Sequence, residues 1–211
     1  MKITKELLIE KDACPEGIDA FCKMFPDGFD LADWTLEKQI EIIKSDLRKY
    51  FGWAVAAGVV PIWSMYGANL NGANLDGASL YGASLNRANL DGASLNRASL
   101  NRANLDGANL YGASLNRANL NGANLNGASL YGANLYGASL YGANLDGASL
   151  YGASLDGASL YGASLNRANL NRANLYGASL DGASLYGAKY SKYTIFPKGF
   201  DPKAAGAWLV E

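Results

Sequence analysis

Histidine is absent from the 211 residues, cysteine occurs twice and proline five times. Without histidine the chain lacks the commonest general base and the commonest metal ligand. Cys14 and Cys22 stand eight residues apart with no further thiol, too few for a zinc site. Two buried, reduced thiols are expected, with a disulfide staple as the alternative. Charge is balanced: 18 basic residues face 19 acidic ones, which leaves no basic surplus for nucleic acid. The 13 residues from Phe51 to Trp63, a proline among them, are too few to cross a membrane. Lys2, Lys5, Glu6 and Glu10 leave no long apolar core for a secretory signal, so a cytoplasmic location is expected. No catalytic residue, metal site or cofactor is expected.

What the chain has in abundance is one phrase. From Tyr66 to Gly187 it repeats A-[N/S]-L-x-x without a lapse of phase, 24 units from Ala68–Leu70 to Ala183–Leu185. Such repetition means that each unit buries its apolar residues only by stacking on its neighbours. On an α-helix, five residues advance about 500°, so successive leucines would spiral over every face. On an unbroken strand, an odd period would send alternate leucines to opposite sides. A chain that bends once per unit keeps them together. Ala and Leu, two apart, then face inward from a short extended stretch, and the pairs NG, DG, YG and NR make the corners. Arg87, Arg97, Arg102, Arg117, Arg167 and Arg172 occupy the glycine place, so the corner is not expected to demand positive φ. A corner residue such as Asn126 is expected to tolerate Asp, whereas Leu130, in the interior column, should not.

These units closely resemble the pentapeptide-repeat family over about three-fifths of the chain. The resemblance implies an all-β solenoid: a right-handed, quadrilateral β-helix with Leu and Ala inside, four units to a coil and about six full coils. Residues recurring at twenty would then stack. Asn69, Asn89 and Asn109 would form one ladder, and Asn104, Asn124 and Asn144 another. The Asp residues of the repeats never recur at that spacing. Solvated corner carboxylates therefore explain them better than catalysis does.

Both ends of a solenoid need covers. Residues 1–65 form the expected N-terminal cap. Thr4 and Thr35 each open a helix, and Pro15 starts another that carries Ile18, Phe21, Cys22 and Phe25 on one face. Leu36, Ile40, Ile43, Leu47 and Tyr50 form the apolar stripe of the third helix. Tyr50, Val55, Val60 and Met65 share the leucine register, which suggests a degenerate first coil. The solenoid then occupies 66–188. In 189–211 the register continues through Tyr190, Ile195 and Phe200. Asp201-Pro202 then opens a short helix with Ala204, Ala205, Trp208 and Leu209. The segment TIFPKGFDPKAAG is similar to tails that follow such repeats elsewhere.

Function is written more faintly. Tyr111, Tyr131 and Tyr151 lie twenty apart, with Tyr136 and Tyr141 beside them, and form the candidate protein-contact residues. A structural ladder is the favoured reading of the same tyrosines, with the contact surface as its alternative. The leading expectation is a non-enzymatic structural or interaction protein that presents a rigid surface to a protein partner or to itself. The family resemblance implies a second reading, a DNA mimic that binds type II topoisomerases, but that role needs rows of carboxylate. Here six repeat Asp are matched by six repeat Arg. A third reading is a phage-type small-molecule-sequestering or anti-defence binding protein. It rests on ACPEGIDAFCKMFPDG, which is similar to N-terminal regions of phage-encoded proteins. The decapeptide YGASLNRANL recurs at 81–90, 111–120 and 161–170. Copying of DNA blocks and assembly from synthetic cassettes both produce such identity.

Overall fold

The computed structural model describes all residues except 51–53, 55, 56, 62 and 211. Val55, expected in the leucine register, lies outside the described residues. The period of five becomes a four-sided, right-handed coil. Parallel bridges join Ser64 to Ser84, Asn69 to Asn89, Asn74 to Ser94 and Ser79 to Ser99, and the same step of twenty continues up to Asn169 and Lys189. Leu and Ala fill the interior: Leu130 is 0% and Ala133 1% exposed.

One unit shows why the coil holds. Leu90 N–H donates to Asn109 in the next coil at 2.7 Å, and Gly92 N–H to Tyr111 at 2.8 Å. Asn89 N–H reaches back to Ala68 at 2.9 Å, while Ala93 N–H closes the corner on Leu90 at 3.0 Å. The Asn89 side-chain oxygen takes the remaining donor, Asp91 N–H, at 3.1 Å. All five amide groups of the unit are satisfied, which a buried or crowded backbone requires.

Every corner turns through positive φ. Gly72 has φ +61 and Gly92 +62, and the six arginines follow suit, from +56 at Arg87 to +59 at Arg172. The expectation that arginine exempts the corner from this geometry is therefore corrected. A negative φ followed by a positive one, closed by an i to i+3 bond, is the type II pattern, and arginine adopts the left-handed conformation at a cost of about 1 kcal/mol.

The N-terminal region is built differently. A two-residue antiparallel pair, β1 (Lys2–Ile3) and β2 (Phe29–Asp30), encloses α1 (Lys5–Glu10) and α2 (Pro15–Met24), and α3 (Leu36–Ile43) follows. Thr4 and Thr35 accept the amides of Leu7 and Lys38, as N-caps do. α3 is shorter than its apolar spacing predicts, because Ser45 caps a separate 3₁₀ turn, Asp46–Lys49. Its buried face is consequently Gln39, Ile42 and Ile43, while Leu36 and Ile40 are half-buried. Cys14 is exposed and Cys22 half-buried, both free, which corrects the expectation of two buried thiols.

Gln39 is the polar member of that buried face, 3% exposed, and its Oε1 accepts Ser64 N–H at 2.7 Å. Beside it Trp63 Nε1 donates to the carbonyl of Ser79 at 3.0 Å. Both groups occupy hydrogen-bonding places that a preceding coil would fill. Rings run from the helices to this junction through Phe21, Phe25, Phe29, Trp34 and Trp63, with centroids 4.9–6.1 Å apart. Val60 and Met65 are buried.

At the other end the register slips. Asn174 bridges Ile195, twenty-one residues on. Ile195 thereby falls in the outward column and is 50% exposed, and Phe196 turns in against Tyr190 at 5.4 Å. The extra residue is absorbed where Thr194 N–H bonds Ser191 and the Thr194 hydroxyl bonds Leu170. Asp201 caps a single turn, accepting the amides of Lys203 and Ala204. No helix follows among the described residues. Trp208–Leu209 instead forms β4, parallel to β3 (Lys189–Tyr190). The expected short helix is corrected to a turn and a strand.

Candidate protein-contact surface

The four corners carry four columns of side chains, and the step of twenty places Tyr111, Tyr131 and Tyr151 in one of them. Their rings stack, with centroids 5.1 and 4.9 Å apart and planes within 7°. Tyr141 stacks instead on Tyr161 at 5.4 Å, in a second column. Tyr136 occupies the corner between the two and has no ring partner among the described residues. Tyr111, Tyr131, Tyr136 and Tyr141 are 41–57% exposed. Parallel stacking covers both faces of Tyr131 and one face of Tyr111, while the ring edges and hydroxyls remain open to a partner.

The column extends further than its tyrosines. The Arg172 guanidinium lies 5.8 Å from the Tyr151 ring and 5.3 Å from that of Tyr193, and Lys192 Nζ lies 5.2 Å from the Tyr193 ring. Arg172 and Tyr193 were missed because neither falls on the step of twenty. Arg172 follows Tyr151 by twenty-one residues, and Tyr193 follows Arg172 by the same number. The same offset joins Arg102 to the hydroxyl of Tyr81 at 3.2 Å, although not Arg87 to Tyr66, which share it too.

Polar columns obey a second rule. Every Asn of the A-N-L units caps the amide two residues ahead, as Asn89 does for Asp91 and Asn134 for Tyr136. Of the expected Asn ladders, Asn109 to Asn89 and Asn124 to Asn104 form, at 3.2 and 3.1 Å. Serine bonds elsewhere, to the corner oxygen eighteen residues back. Ser94 reaches Asp76 at 2.6 Å, Ser114 reaches Asn96 at 2.8 Å, and Ser139 reaches Asn121 at 2.6 Å. Asn101, Asn116 and Asn171 have buried side-chain oxygens without a donor. The residues eighteen further on are Asn119, Asn134 and Lys189, none of them serine.

The ion pairs Met1–Asp30, Lys11–Glu10 and Lys38–Glu41 lie in the N-terminal region, and within the repeats Asp106 and Asp146 accept from Asn126 and Ser164. No cluster of three or more potential metal ligands occurs among the described residues. Among them too, no helix is long and apolar enough to cross a membrane.

The family model for pentapeptide repeats matches eight copies, over residues 64–102, 83–122, 113–152 and 153–189. The chain belongs to the pentapeptide-repeat family. Family structures similar to it include alr5209 from Nostoc PCC 7120, with 38% identity, 56% of this chain and 84% of that one covered, and a TM-score of 0.27. HetL from the same cyanobacterium, involved in heterocyst differentiation regulation, is 39% identical, with 61% and 66% covered and a TM-score of 0.26. QnrB1, a plasmid-mediated fluoroquinolone resistance protein, is 20% identical, with 70% and 80% covered and a TM-score of 0.47. No curated protein matches the chain.

Proposed function

We propose that this pentapeptide-repeat protein is a non-enzymatic contact rod that docks a protein partner, or a second copy of itself, along the column Tyr111, Tyr131, Tyr151 and Arg172. Tyr136 and Tyr141 widen the surface on the neighbouring corners. The observation that carries this reading is the register of three stacked, outward tyrosines continued by a cation, on a rigid backbone. Tyrosine loses little entropy when held and offers an apolar ring and a hydroxyl together, so a few such residues can dominate binding. Two helical and strand-built ends are part of the same proposal: residues 1–65 and 189–211 act as covers for the open coils.

Duplex mimicry fits less well, because Asp106 and Asp146 share a corner column only with Asn126 between them, and no run of carboxylates forms. Sequestration of a signalling molecule fits less well too. The apolar cavity between the N-terminal helices, lined by Phe21, Ile42 and Leu47, measures about 60 Å³, and the larger hollows along the repeats, about 570 and 650 Å³, are open surface grooves lined by residues such as Arg117, Tyr136, Arg167 and Tyr186.

The test is the triple variant Tyr111→Asn, Tyr131→Asn, Tyr151→Asn, with Tyr66→Asn, Tyr186→Asn as the control pair. Sedimentation and capture from the native host should lose their specific species with the triple variant and keep it with the control. Equal capture by both would remove the column from the contact.

A further inference from the structure

The last coil is covered on only part of its circumference. In the coil before it, Gly157, Leu160, Gly162 and Leu165 donate to Tyr176, Ser179, Asp181 and Ser184 at 2.7–2.9 Å. Their counterparts Gly177, Leu180, Gly182 and Leu185 have no acceptor among the described residues. The reason is the path of the chain. After Phe196 it crosses the end of the rod, where Phe196 and Phe200 stack at 5.5 Å, and rejoins the coil only where Gly206 accepts Gly187 N–H. Two adjacent sides are skipped. The interior shows it: Ala178 and Leu180 are each 6% exposed, and Ala183 is half-buried, against 0–1% in the middle coils.

The edge carries apolar side chains and one carboxylate, Asp181, with Asp156 beside Gly177, while the chain that bypasses it is basic. Tyr176 is 65%, Tyr186 69% and Trp208 66% exposed. From residue 189 onward the chain carries Lys189, Lys192, Lys198 and Lys203 against Asp201 and Glu211, a net +2 (4 − 2). The repeats sum to zero. Residues 1–65 hold eight basic and eleven acidic side chains, net −3 (8 − 11). The rod is thus an electrical dipole with its open strand edge at the positive end.

We infer that this edge, Gly177 to Leu185, is a docking site for an extended acidic segment of a partner protein, which adds as one more strand. Free N–H and C=O groups in register supply the backbone recognition, as in strand addition to other sheet edges. Charge selects the occupant. Lys198 and Lys203, on the segment that bypasses the edge, keep like-charged copies of the same end apart and attract carboxylates. The column of Tyr111, Tyr131 and Tyr151 lies on another corner of the coil, whereas the corners of this edge, at Tyr176 and Asp181, continue those of Tyr136 and Tyr141.

A synthetic peptide of two A-D-L-D-G units is the probe, and its A-K-L-K-G counterpart the control. On the full chain the acidic peptide should saturate at one per chain and slow amide exchange at Gly177, Leu180, Gly182 and Leu185 at least tenfold, leaving Leu130 unchanged. Lys198→Glu with Lys203→Glu should weaken it at least tenfold. Equal binding of the lysine peptide, or protection elsewhere on the rod, would overturn the inference. So would concentration-dependent protection of the same amides without peptide, which would make a second copy the occupant.

Discussion

The two regions of this protein reach order by opposite means. In the solenoid one rule is written 24 times, and a side chain's place follows from its phase. In the helical region each contact is made once: Gln39 meets Ser64, Trp63 meets Ser79, and Phe29 bridges Phe25 and Trp34. Repetition gives the rod a column of buried leucines worth about 1.5–3 kcal/mol each before the entropy of ordering is subtracted. The helical region has a small core, and small cores are marginal on their own. The rod should therefore withstand what the helices do not, provided its interior is untouched.

The heaviest loss should come from inside the rod. Leu130→Asp places a charge without a partner in a column that is 0% exposed, and should cost at least several kcal/mol. Loss of the β-type circular dichroism transition, or expression only as aggregate, is the expected outcome. Removing residues 1–60 comes next. It takes Gln39 from Ser64, opens the first coil and should give aggregation, whereas a soluble monomer with an unchanged spectrum would refute the cover assignment. Asn126→Asp is smaller. Asn126 Nδ2 donates to Asp106 Oδ1 at 2.8 Å, and the variant would replace that donor with a third carboxylate between those of Asp106 and Asp146. The sequence-based expectation of tolerance is thereby revised to a loss of about 1 kcal/mol, reduced by added salt.

One substitution should move the rod the other way. Asn119→Ser supplies the donor that the buried Asn101 oxygen lacks, copying the bond of Ser139 to Asn121. A gain of about 1 kcal/mol in thermal unfolding is expected, and no gain would unseat the eighteen-residue rule. Acid should act on the helical region first. Hydrogen bonding from the Ala32 amide holds Asp30 below the usual carboxylate range, and backbone and threonine hydrogen bonds do the same for Glu6 and Glu37. Groups with lowered folded values stabilise above their unfolded values near pH 4 and lose that effect as pH falls through the folded ones. The helical circular dichroism signal should therefore weaken on acidification before the solenoid signal does.

How much of this is legible in the sequence follows the same division. Phase alone assigns Leu130 to the interior and Tyr131 to the surface, because a five-residue unit that bends once permits no other arrangement. It does not show the left-handed conformation of Arg87, since the chain tolerates about 1 kcal/mol of strain wherever stacking over-determines the corner. Nor does it reveal the slip that turns Ile195 outward, which depends on the Ser191–Thr194 turn rather than on any apolar period. In α3 the apolar stripe pointed to Leu36 and Ile40, but the junction with the rod selects Gln39 for burial, because Ser64 N–H needs an acceptor there. The stacked tyrosines were legible from spacing. Arg172 and Tyr193 were not, because their offset is one residue longer.

If the tyrosine column serves contact, the rod's stability rests on its interior and the column can be removed without loosening the coils. Amide exchange measured on the wild type and on the Tyr111→Asn, Tyr131→Asn, Tyr151→Asn variant separates the two roles. Equal protection at Leu115, Leu135 and Leu155 is expected in both proteins, together with loss of the specific captured or self-associated species in the variant alone. Protection that collapses in those coils while association survives would reverse the assignment and make the column a structural ladder.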